Sequence, residues 1–312
     1  MGKEVGYNVF GIVEDVRLPG TQVSFSQYSK WRKCPRAWKL SYIDKIKVYE
    51  PSVHAVFGTA IHETIQKYLE LLYTTTVKEA DAFNIEQFFL ERLKHTIQEE
   101  VEKSEKMFTT REELSEFYVD GVEILKFIKK KRKLYFDKKN ETLIGIELPL
   151  LHPVNSEYDI KLQGYQDLIT KDNRDDVYLL RDIKTSTRGW SDWDKKDEVK
   201  ISQLLLYKIF LHKQSNIPLD KIRVEYFILR RKVDPDSAFP IRRVQIFEPA
   251  QSERTLKKTY SNFMEFIETC FNKDGTFKET VYPATAGLNC KNCRFCEYNN
   301  ETHCPLSIRI QQ

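Results

Sequence analysis

The stretch GYQDLITKDNRDDVYLLRDIKT, residues 164–185, decides the fold, because it predicts two short strands joined by a polar turn. The strands cover residues 162–169 and 177–184, and residues 171–176 supply the turn. Asp167 lies near the end of the first strand and Asp182 near the end of the second. These two carboxylates are not expected to face each other across a tight hairpin, so the sheet must bend or shift to bring them together.

The second strand carries charged groups beside apolar ones. Side-chain alternation places Asp182 and Lys184 on one face, with Leu179 and Ile183 on the other. Two carboxylates and an ammonium group converging beside an apolar strand are costly to bury unless a cation or a substrate uses them. The alternative is a surface hairpin whose charges are solvated.

The overall charge gives no argument for a polycationic protein. The chain of 312 residues carries 50 Lys and Arg against 46 Asp and Glu, a net charge of +4. A local basic block occupies residues 129–133, followed by Lys138 and Lys139 and interleaved with Tyr135 and Phe136. Such a block could contact phosphates, or it could be the solvated face of a helix.

Length and apolar content bound the class of protein. A chain of this length can form a substantial core in one large domain or two. It contains no run of about 18 apolar residues, so no membrane span is expected. The first residues also lack the apolar stretch of a signal peptide. The sequence therefore predicts a cytoplasmic protein.

The cysteines are concentrated near the C-terminus. Of six cysteines, four lie in CKNCRFCEYNNETHC, residues 290–304. In a cytoplasmic protein this spacing indicates a metal site rather than disulfides, although unliganded thiols are the alternative. The four local thiolates could hold zinc, whereas three of them with the distant Cys34 would suit an iron–sulfur cluster.

The order of predicted elements indicates a mixed α/β core. A helix begins near residue 57, and two charged helices over residues 85–103 and 111–136 look like a helical insertion. A strand at 144–150 precedes the hairpin, and a helix at 197–212, two strands at 222–229 and 241–247, and a helix at 252–271 follow it. This order predicts helices packed on a central sheet.

Four short motifs occur together along these elements. They are GTAIH at residues 58–62, GYQD at 164–167, DIKT at 182–185 and QLLLY at 203–207. In this order the chain resembles the PD-(D/E)XK nuclease superfamily in its RecB-like branch, which includes the CRISPR-associated RecB-like exonucleases and the AddAB nuclease domain. The resemblance implies a restriction-endonuclease-like core, in which helices flank a mixed central sheet, with a helical insertion and a cysteine-rich C-terminal metal staple.

The resemblance also implies roles for the motif residues. His62, Asp167, Asp182 and the carbonyl group of Ile183 would hold Mg²⁺ or Mn²⁺. Lys184 would position or activate the attacking water and stabilise charge on the phosphate. The remaining members would support the site or touch DNA: Gln203 and Tyr207, with Glu147 as an auxiliary acidic residue on the first core strand.

The iron–sulfur subset of this family implies a [4Fe–4S] cluster. One cysteine before the first motif, here Cys34, would join three near the C-terminus, for which Cys293, Cys296 and Cys304 fit best. Cys290 is a possible substitute, and zinc is the alternative metal. The chain would then divide into an N-terminal segment (1–83), a helical insertion (84–140), a nuclease core (141–288) and a tail (289–312) that closes onto the N-terminal segment.

The resemblance implies a metal-dependent DNA exonuclease in recombination or repair, acting on single strands or free ends and, by analogy, 5′→3′. Four residues before the first motif could stack on bases or neutralise phosphates: Tyr28, Trp31, Arg32 and Arg36. Three alternatives remain: a flap endonuclease, a non-catalytic metal-stapled DNA-binding subunit, and a zinc-ribbon module that leaves Cys34 free. No helicase motif is present, so a separate recombination protein could be a partner.

Overall fold

The computed structural model describes residue 9 and residues 20–234, 241–287 and 291–310. The strands are β1 Thr21–Ser24, β2 Glu141–Pro153, β3 Ile160–Asp172, β4 Val177–Ser186, β5 Ile222–Arg230, β6 Val244–Phe247, β7 Ala284–Thr285 and β8 Arg309–Ile310. The helices are α1 Phe25–Lys33, α2 Pro35–Tyr42, α3 Val53–Thr74, α4 Val77–Ala82, α5 Ile85–Ser104, α6 Arg111–Lys131, α7 Asp192–Lys196, α8 Glu198–Ser215 and α9 Glu253–Cys270.

The first six strands form one mixed sheet in the order β1-β3-β4-β5-β6, with β2 paired to β3. The β1–β3 and β4–β5 pairs are parallel and the others are antiparallel. The parallel pair β4–β5 requires a crossover connection, and α8 supplies it. The mixed α/β sheet with flanking helices confirms the fold class predicted from the sequence.

Strand β3 pairs with β2 over nearly its whole length, but its other edge is divided between two strands. β1 pairs with residues 160–163 and β4 with residues 168–172. Within the described residues, neither strand pairs with the four between them, Gly164 to Asp167. The second predicted motif therefore lies at a break in the sheet, where side chains and backbone groups are available for other contacts.

Two apolar layers cover the sheet. On one face the core includes side chains of α1, α2, α8 and α9, such as Tyr28, Trp38 and Phe263. On the other face it includes α3, α5 and α6, with Phe57 and Phe89 among the buried rings. The predicted helical insertion thus shares its core with α3 and with the sheet. Helix propensity alone does not place these helices; burial of their apolar sides does.

Three of the seven cations in and after the basic block are used inside the protein. Lys129 donates to the backbone oxygen of Asp81 at 2.6 Å, and Arg132 lies 3.0 Å from the Asp81 carboxylate. Lys138 donates to the backbone oxygens of Leu72 and Thr75. These three cations bind helix ends and loops and have a structural role, whereas the other four are exposed: Lys130, Lys131, Lys133 and Lys139. No helix in the described ranges is long and apolar enough to cross a bilayer.

Candidate metal and catalytic centre

Three carboxylates lie in one row across β2, β3 and β4. Ile146 pairs with Leu168 and Leu148 with Gln166, so the register sets Glu147 opposite Asp167. On the other side, the last pair between β3 and β4 is Leu168 with Arg181, and the next residues in that register are Asp167 and Asp182.

The hairpin register therefore brings Asp167 and Asp182 together directly. The expectation that the sheet must bend or shift to do so was wrong. The turn between the strands is centred so that the two residues stand at equal distances from it. The ladder ends at these aspartates, and the Asp167 carboxylate accepts the backbone N–H of Ile183 at 2.7 Å. Beyond this point β3 and β4 separate, and the N–H of Ile183 no longer meets a backbone oxygen of β3. The Asp167 carboxylate accepts that N–H instead.

Glu147 adopts a backbone conformation that is unusual inside a strand. Its φ is +49°, in the left-handed region that residues with a Cβ rarely occupy. Such a conformation costs about 1–3 kcal/mol and persists only where neighbouring contacts hold it. The β2–β3 register also shifts just before it, between Leu143 and Gly145. This irregularity directs the carboxylate of the buried Glu147 toward Asp167 and Asp182.

Helix α3 supplies the fourth side chain of the centre. The Nε2 atom of His62 lies 3.1 Å from Asp167 Oδ2, and its Nδ1 atom lies 3.6 Å from Glu147 Oε1. One potential ligand atom from each of these three residues lies within 4.8 Å of the others, an arrangement that could hold a metal ion. Glu147, expected only as an auxiliary residue, belongs to this tightest group, whereas Asp182 stands beside it.

Asp182 and Lys184 form the second half of the centre. Lys184 Nζ lies 2.8 Å from Asp182 Oδ2 and donates to Oδ1 at 3.1 Å. Asp182 is 3% exposed, so its carboxylate has almost no access to water. Within the described residues, its Oδ2 accepts no hydrogen bond of good geometry, although the ammonium is close. The acceptor therefore has capacity left for a further positive group.

Burial and charge set the protonation of these groups. Burial raises the pKa of Asp182 to about 6, against the opposing effect of Lys184. Burial also acts on Asp167, but His62, Lys184 and the N–H of Ile183 outweigh it and hold the pKa of Asp167 below its usual value. Burial alone would lower the pKa values of Lys184 and His62, yet the neighbouring carboxylates raise both.

The fourth motif lies against the second. The Tyr207 hydroxyl occupies the space beside Gly164, where a Cβ would come within 2.5 Å of it. Gln203 hydrogen-bonds Tyr207, and burial raises the pKa of that phenol to about 12, so Tyr207 is neutral. The first and third motifs also touch, because a Cβ on Gly58 would lie 3.4 Å from Thr185 Oγ1. All four predicted motifs thus converge on one centre.

Gln66 is a residue of the centre that the sequence analysis missed. Its Nε2 atom donates to Glu147 Oε1 at 2.8 Å and to the backbone oxygen of Asp167 at 3.1 Å. The same atom lies 3.3 Å from His62 Nε2. The available signal was its spacing: Gln66 follows His62 by four residues on one helix face.

Four cysteines line a second, separate cavity. Cys34, at the junction of α1 and α2, faces Cys293, Cys296 and Cys304 of the C-terminal tail. No three of these described sulfurs lie within 4.8 Å of one another. The possible substitute, Cys290, lies outside the described residues.

Hydrogen bonds also join the tail to the N-terminal segment. Arg36 donates to the backbone oxygen of His303 at 2.6 Å, and Asn292 donates to that of Lys33 at 2.8 Å. The Tyr298 hydroxyl lies 2.8 Å from Ser41 Oγ. The cysteines are therefore brought together by contacts that do not depend on a metal.

The structure corrects the expected role of Tyr28 and Trp31. Both are buried, with 1% and 7% exposure, and each lies with its ring centroid 5.5 Å from a phenylalanine of α9. Their faces belong to the core and have no room for DNA bases. Arg32 lies 3.5 Å from Glu265, and Arg36 is engaged by the tail. The aromatic stripe of α1 therefore positions a helix and does not line a strand-binding surface.

Comparisons with known proteins identify the family to which the chain belongs. The family model described as the PD-(D/E)XK nuclease superfamily matches residues 22–301. Among solved structures, a "Putative exonuclease" from Eubacterium rectale is similar over 78% of each chain, with 9% sequence identity and a TM-score of 0.45. None of the curated proteins compared with the chain matches it.

Proposed function

Because this chain belongs to the PD-(D/E)XK nuclease superfamily, we propose that it is a metal-dependent deoxyribonuclease that shortens DNA from single-stranded ends. The observation that carries the proposal is the convergence of His62, Asp167, Asp182 and Lys184 at the break in the sheet. A cluster of buried charges at this position is costly for stability and is typical of a catalytic site.

The donor atoms of the centre fit a small, hard divalent cation. His62, Glu147 and Asp167 offer one imidazole nitrogen and carboxylate oxygens, and Asp182 with the carbonyl group of Ile183 would complete the set. Oxygen-rich donor sets of this kind suit Mg²⁺ or Mn²⁺. When bound, such a cation polarises the phosphate and makes a bound water more acidic.

Lys184 supplies positive charge without acting as a base. The carboxylates of Asp182 and Asp167 raise its pKa, so the ammonium keeps its proton at neutral pH. Its bond to Asp182 aims the charge at the place where a phosphate would gain negative charge in the transition state. Tyr207 is neutral, and Gln203 holds it against Gly164, so this pair positions the site and adds no charge.

The substrate and polarity rest on family analogy. We propose single-stranded DNA or free ends as the substrate, 5′→3′ polarity, and a role in recombination or repair, with a recombination protein as a possible partner. The division into N-terminal segment, insertion, nuclease core and tail is proposed with the same boundaries.

We propose that the cysteine cavity holds a [4Fe–4S] cluster, with zinc as the alternative metal. Around tetrahedral zinc the sulfurs would stand about 3.8 Å apart. No three of the described sulfurs of Cys34, Cys293, Cys296 and Cys304 lie within 4.8 Å of one another, so the thiols would have to move closer together to bind one zinc ion. We propose that these four hold the cluster, with Cys290 as a substitute. When bound, the cluster would link α1 and α2 covalently to the tail.

The proposal is tested by cleavage of end-labelled DNA. Single-stranded, duplex and flapped substrates carry a label at the 5′ or 3′ end, and reactions contain Mg²⁺, Mn²⁺ or EDTA. We expect metal-dependent loss of the 5′ label from single strands and none with Asp182→Ala. A single cut at the flap junction would instead identify an endonuclease. DNA binding without cleavage in either metal would identify a non-catalytic subunit.

A further inference from the structure

One tryptophan stands in solvent close to the candidate centre. Trp193 is 86% exposed, whereas the other three tryptophans are buried: Trp31, Trp38 and Trp190. It belongs to α7, in the connection from β4, which carries Asp182 and Lys184, to α8, which carries Gln203 and Tyr207. Its indole is therefore available to a ligand on the connection between two elements of the centre.

Ring packing links the base of this connection to β5, the neighbour of β4. Asp182 pairs with Tyr226 across the β4–β5 ladder. The Tyr226 ring lies 4.6 Å, centroid to centroid, from the ring of Trp190, which is buried. Trp193 follows Trp190 by three residues and is the second residue of α7. The side chains of Tyr226 and Trp190 therefore connect Asp182 to the base of the connection that carries the exposed indole.

Hydrogen bonds and an ion pair hold this connection at Trp190 and at the start of α7. Gln245 accepts the N–H of Trp190 at 2.7 Å and donates to its carbonyl oxygen at 3.1 Å. Ser191 and Asp194 form a reciprocal capping box at the start of α7. Lys200 reaches back to Asp194 at 2.7 Å. The backbone that carries the indole is therefore held in place, which lowers the entropy cost of ordering this connection on binding.

Two cations near Trp193 remain available to an anionic strand, because the neighbouring carboxylates, including Asp197 at the start of α8 and Glu198 beside Lys258, are already engaged. The acidic residues of α7 are already paired, Asp192 with Lys195 at 3.2 Å and Asp194 with Lys200. Arg188 and Lys196 flank the indole in sequence and are exposed. In the described part of the chain, neither has a carboxylate within 4 Å.

We propose that Trp193 stacks on an unpaired base of the DNA strand that enters the centre, while Arg188 and Lys196 neutralise its phosphates. This inference rests on the proposed nuclease function and names the feature that selects single strands. Every unpaired base offers a free face to an indole, whereas bases inside a duplex are already stacked on their neighbours. Such a platform binds single strands with little dependence on sequence and weakens with salt.

Trp193 itself provides the signal for the test. In EDTA, where no metal-dependent cleavage occurs, oligothymidylate is added to wild-type protein and tryptophan emission is followed. Because the other tryptophans are buried, stacking will quench mainly Trp193. Anisotropy of a labelled oligonucleotide measures binding separately for Trp193→Ala, Trp193→Tyr and the control Tyr49→Ala, which removes another exposed aromatic ring.

We expect quenching by single strands and much less by duplex. Trp193→Ala should weaken single-strand binding about 5- to 100-fold, whereas Trp193→Tyr and Tyr49→Ala should bind nearly as wild type. Unchanged single-strand binding by Trp193→Ala would overturn the stacking proposal. If the wild-type protein still cleaved DNA, the proposed nuclease function would be unaffected. Conversely, if Trp193→Ala bound single strands more weakly but the wild-type protein never cleaved DNA, the stacking role of Trp193 would be supported and the nuclease function would be rejected.

Discussion

The hydroxyl group of Tyr207 fills the space where any side chain on Gly164 would lie. Gly164 lies three residues before Asp167, and Tyr207 lies four residues after Gln203. The contact explains why these two residues occur together in one chain, because only a glycine leaves room for the hydroxyl group. Gly164 also opens the unpaired stretch of β3, so the phenol packs against bare backbone at the break in the sheet. Two motifs that are far apart in sequence are thus one structural feature.

Gly164→Ala should displace Tyr207 and disturb the centre. The new methyl group would come within 2.5 Å of the hydroxyl, and overpacking of this kind costs about 1–3 kcal/mol of unfolding free energy. Thermal unfolding and DNA cleavage would both show a loss. Gly58→Ala is the matched control, because its methyl group would meet Thr185 at 3.4 Å, close to ordinary contact. Equal stability and activity of the two variants would contradict the assigned contact.

Gln66 should hold Glu147 and Asp167 in place for a metal. Gln66→Leu removes a hydrogen bond of 2.8 Å to the buried carboxylate of Glu147, and hydrogen bonds to charged groups contribute about 1.5–3 kcal/mol. We expect Mn²⁺ affinity, measured by calorimetry, to fall about 10- to 100-fold.

Gln98→Leu is the control for this variant, because Gln98 is exposed and bonds only to Glu102 within the described residues. It should keep wild-type Mn²⁺ affinity. If Gln66→Leu bound Mn²⁺ as tightly as Gln98→Leu did, Gln66 would have no positioning role.

Metal affinity should rise with pH. Burial raises the pKa of Asp182 to about 6. In the metal-free protein, the protonated carboxyl group therefore contributes to stability. This contribution is fully present below pH 4 and is lost as the pH rises through 6. A cation requires the carboxylate, and the raised pKa of His62 acts in the same direction. We expect Mn²⁺ to bind more tightly at pH 7 than at pH 5, with a smaller change in Asp182→Asn. A flat profile in wild type would refute the assignment.

The tail cysteines should bind an iron–sulfur cluster that includes Cys34. Protein purified without oxygen should be brown, with broad visible absorbance and four irons per chain. Cys34→Ser should lose the colour and the iron. Cys270→Ala is the control, because Cys270 is buried in the main core and does not line the cysteine cavity. Colourless protein with one zinc, retained in Cys34→Ser, would support the zinc alternative.

The sequence predicted the order and type of the main elements because burial periodicity and polar turns are local signals. It also predicted the convergence of four motifs, through the family resemblance. The relation of Asp167 to Asp182 was missed because it depends on the register of a turn, which a shift of one residue would change. Glu147 was predicted as an auxiliary residue, but its strained backbone and its hydrogen bond with Gln66 were not, since they depend on a bulge in β2 and on a helix 81 residues away.

The aromatic residues of α1 show a different kind of error. Tyr28 and Trp31 stand three residues apart, on one face of the helix, and this spacing is typical of core packing. Beside basic residues they were interpreted as a DNA-binding surface. Exposure depends on what packs above a helix, here α9, and no local pattern reveals that. Trp193 drew no attention in the sequence, because only the fold leaves it exposed beside the centre.

The most direct test of the central claim is the rate of phosphodiester hydrolysis by Lys184→Met. Methionine keeps much of the side-chain volume and removes the charge that Asp182 orients. Lys171→Met is the control, since Lys171 pairs with Asp176 at the turn away from the centre. With Mg²⁺ or Mn²⁺ and single-stranded DNA, we expect Lys184→Met to be slower by about 100- to 1000-fold and Lys171→Met to match wild type. Hydrolysis by Lys184→Met at the wild-type rate would contradict the account.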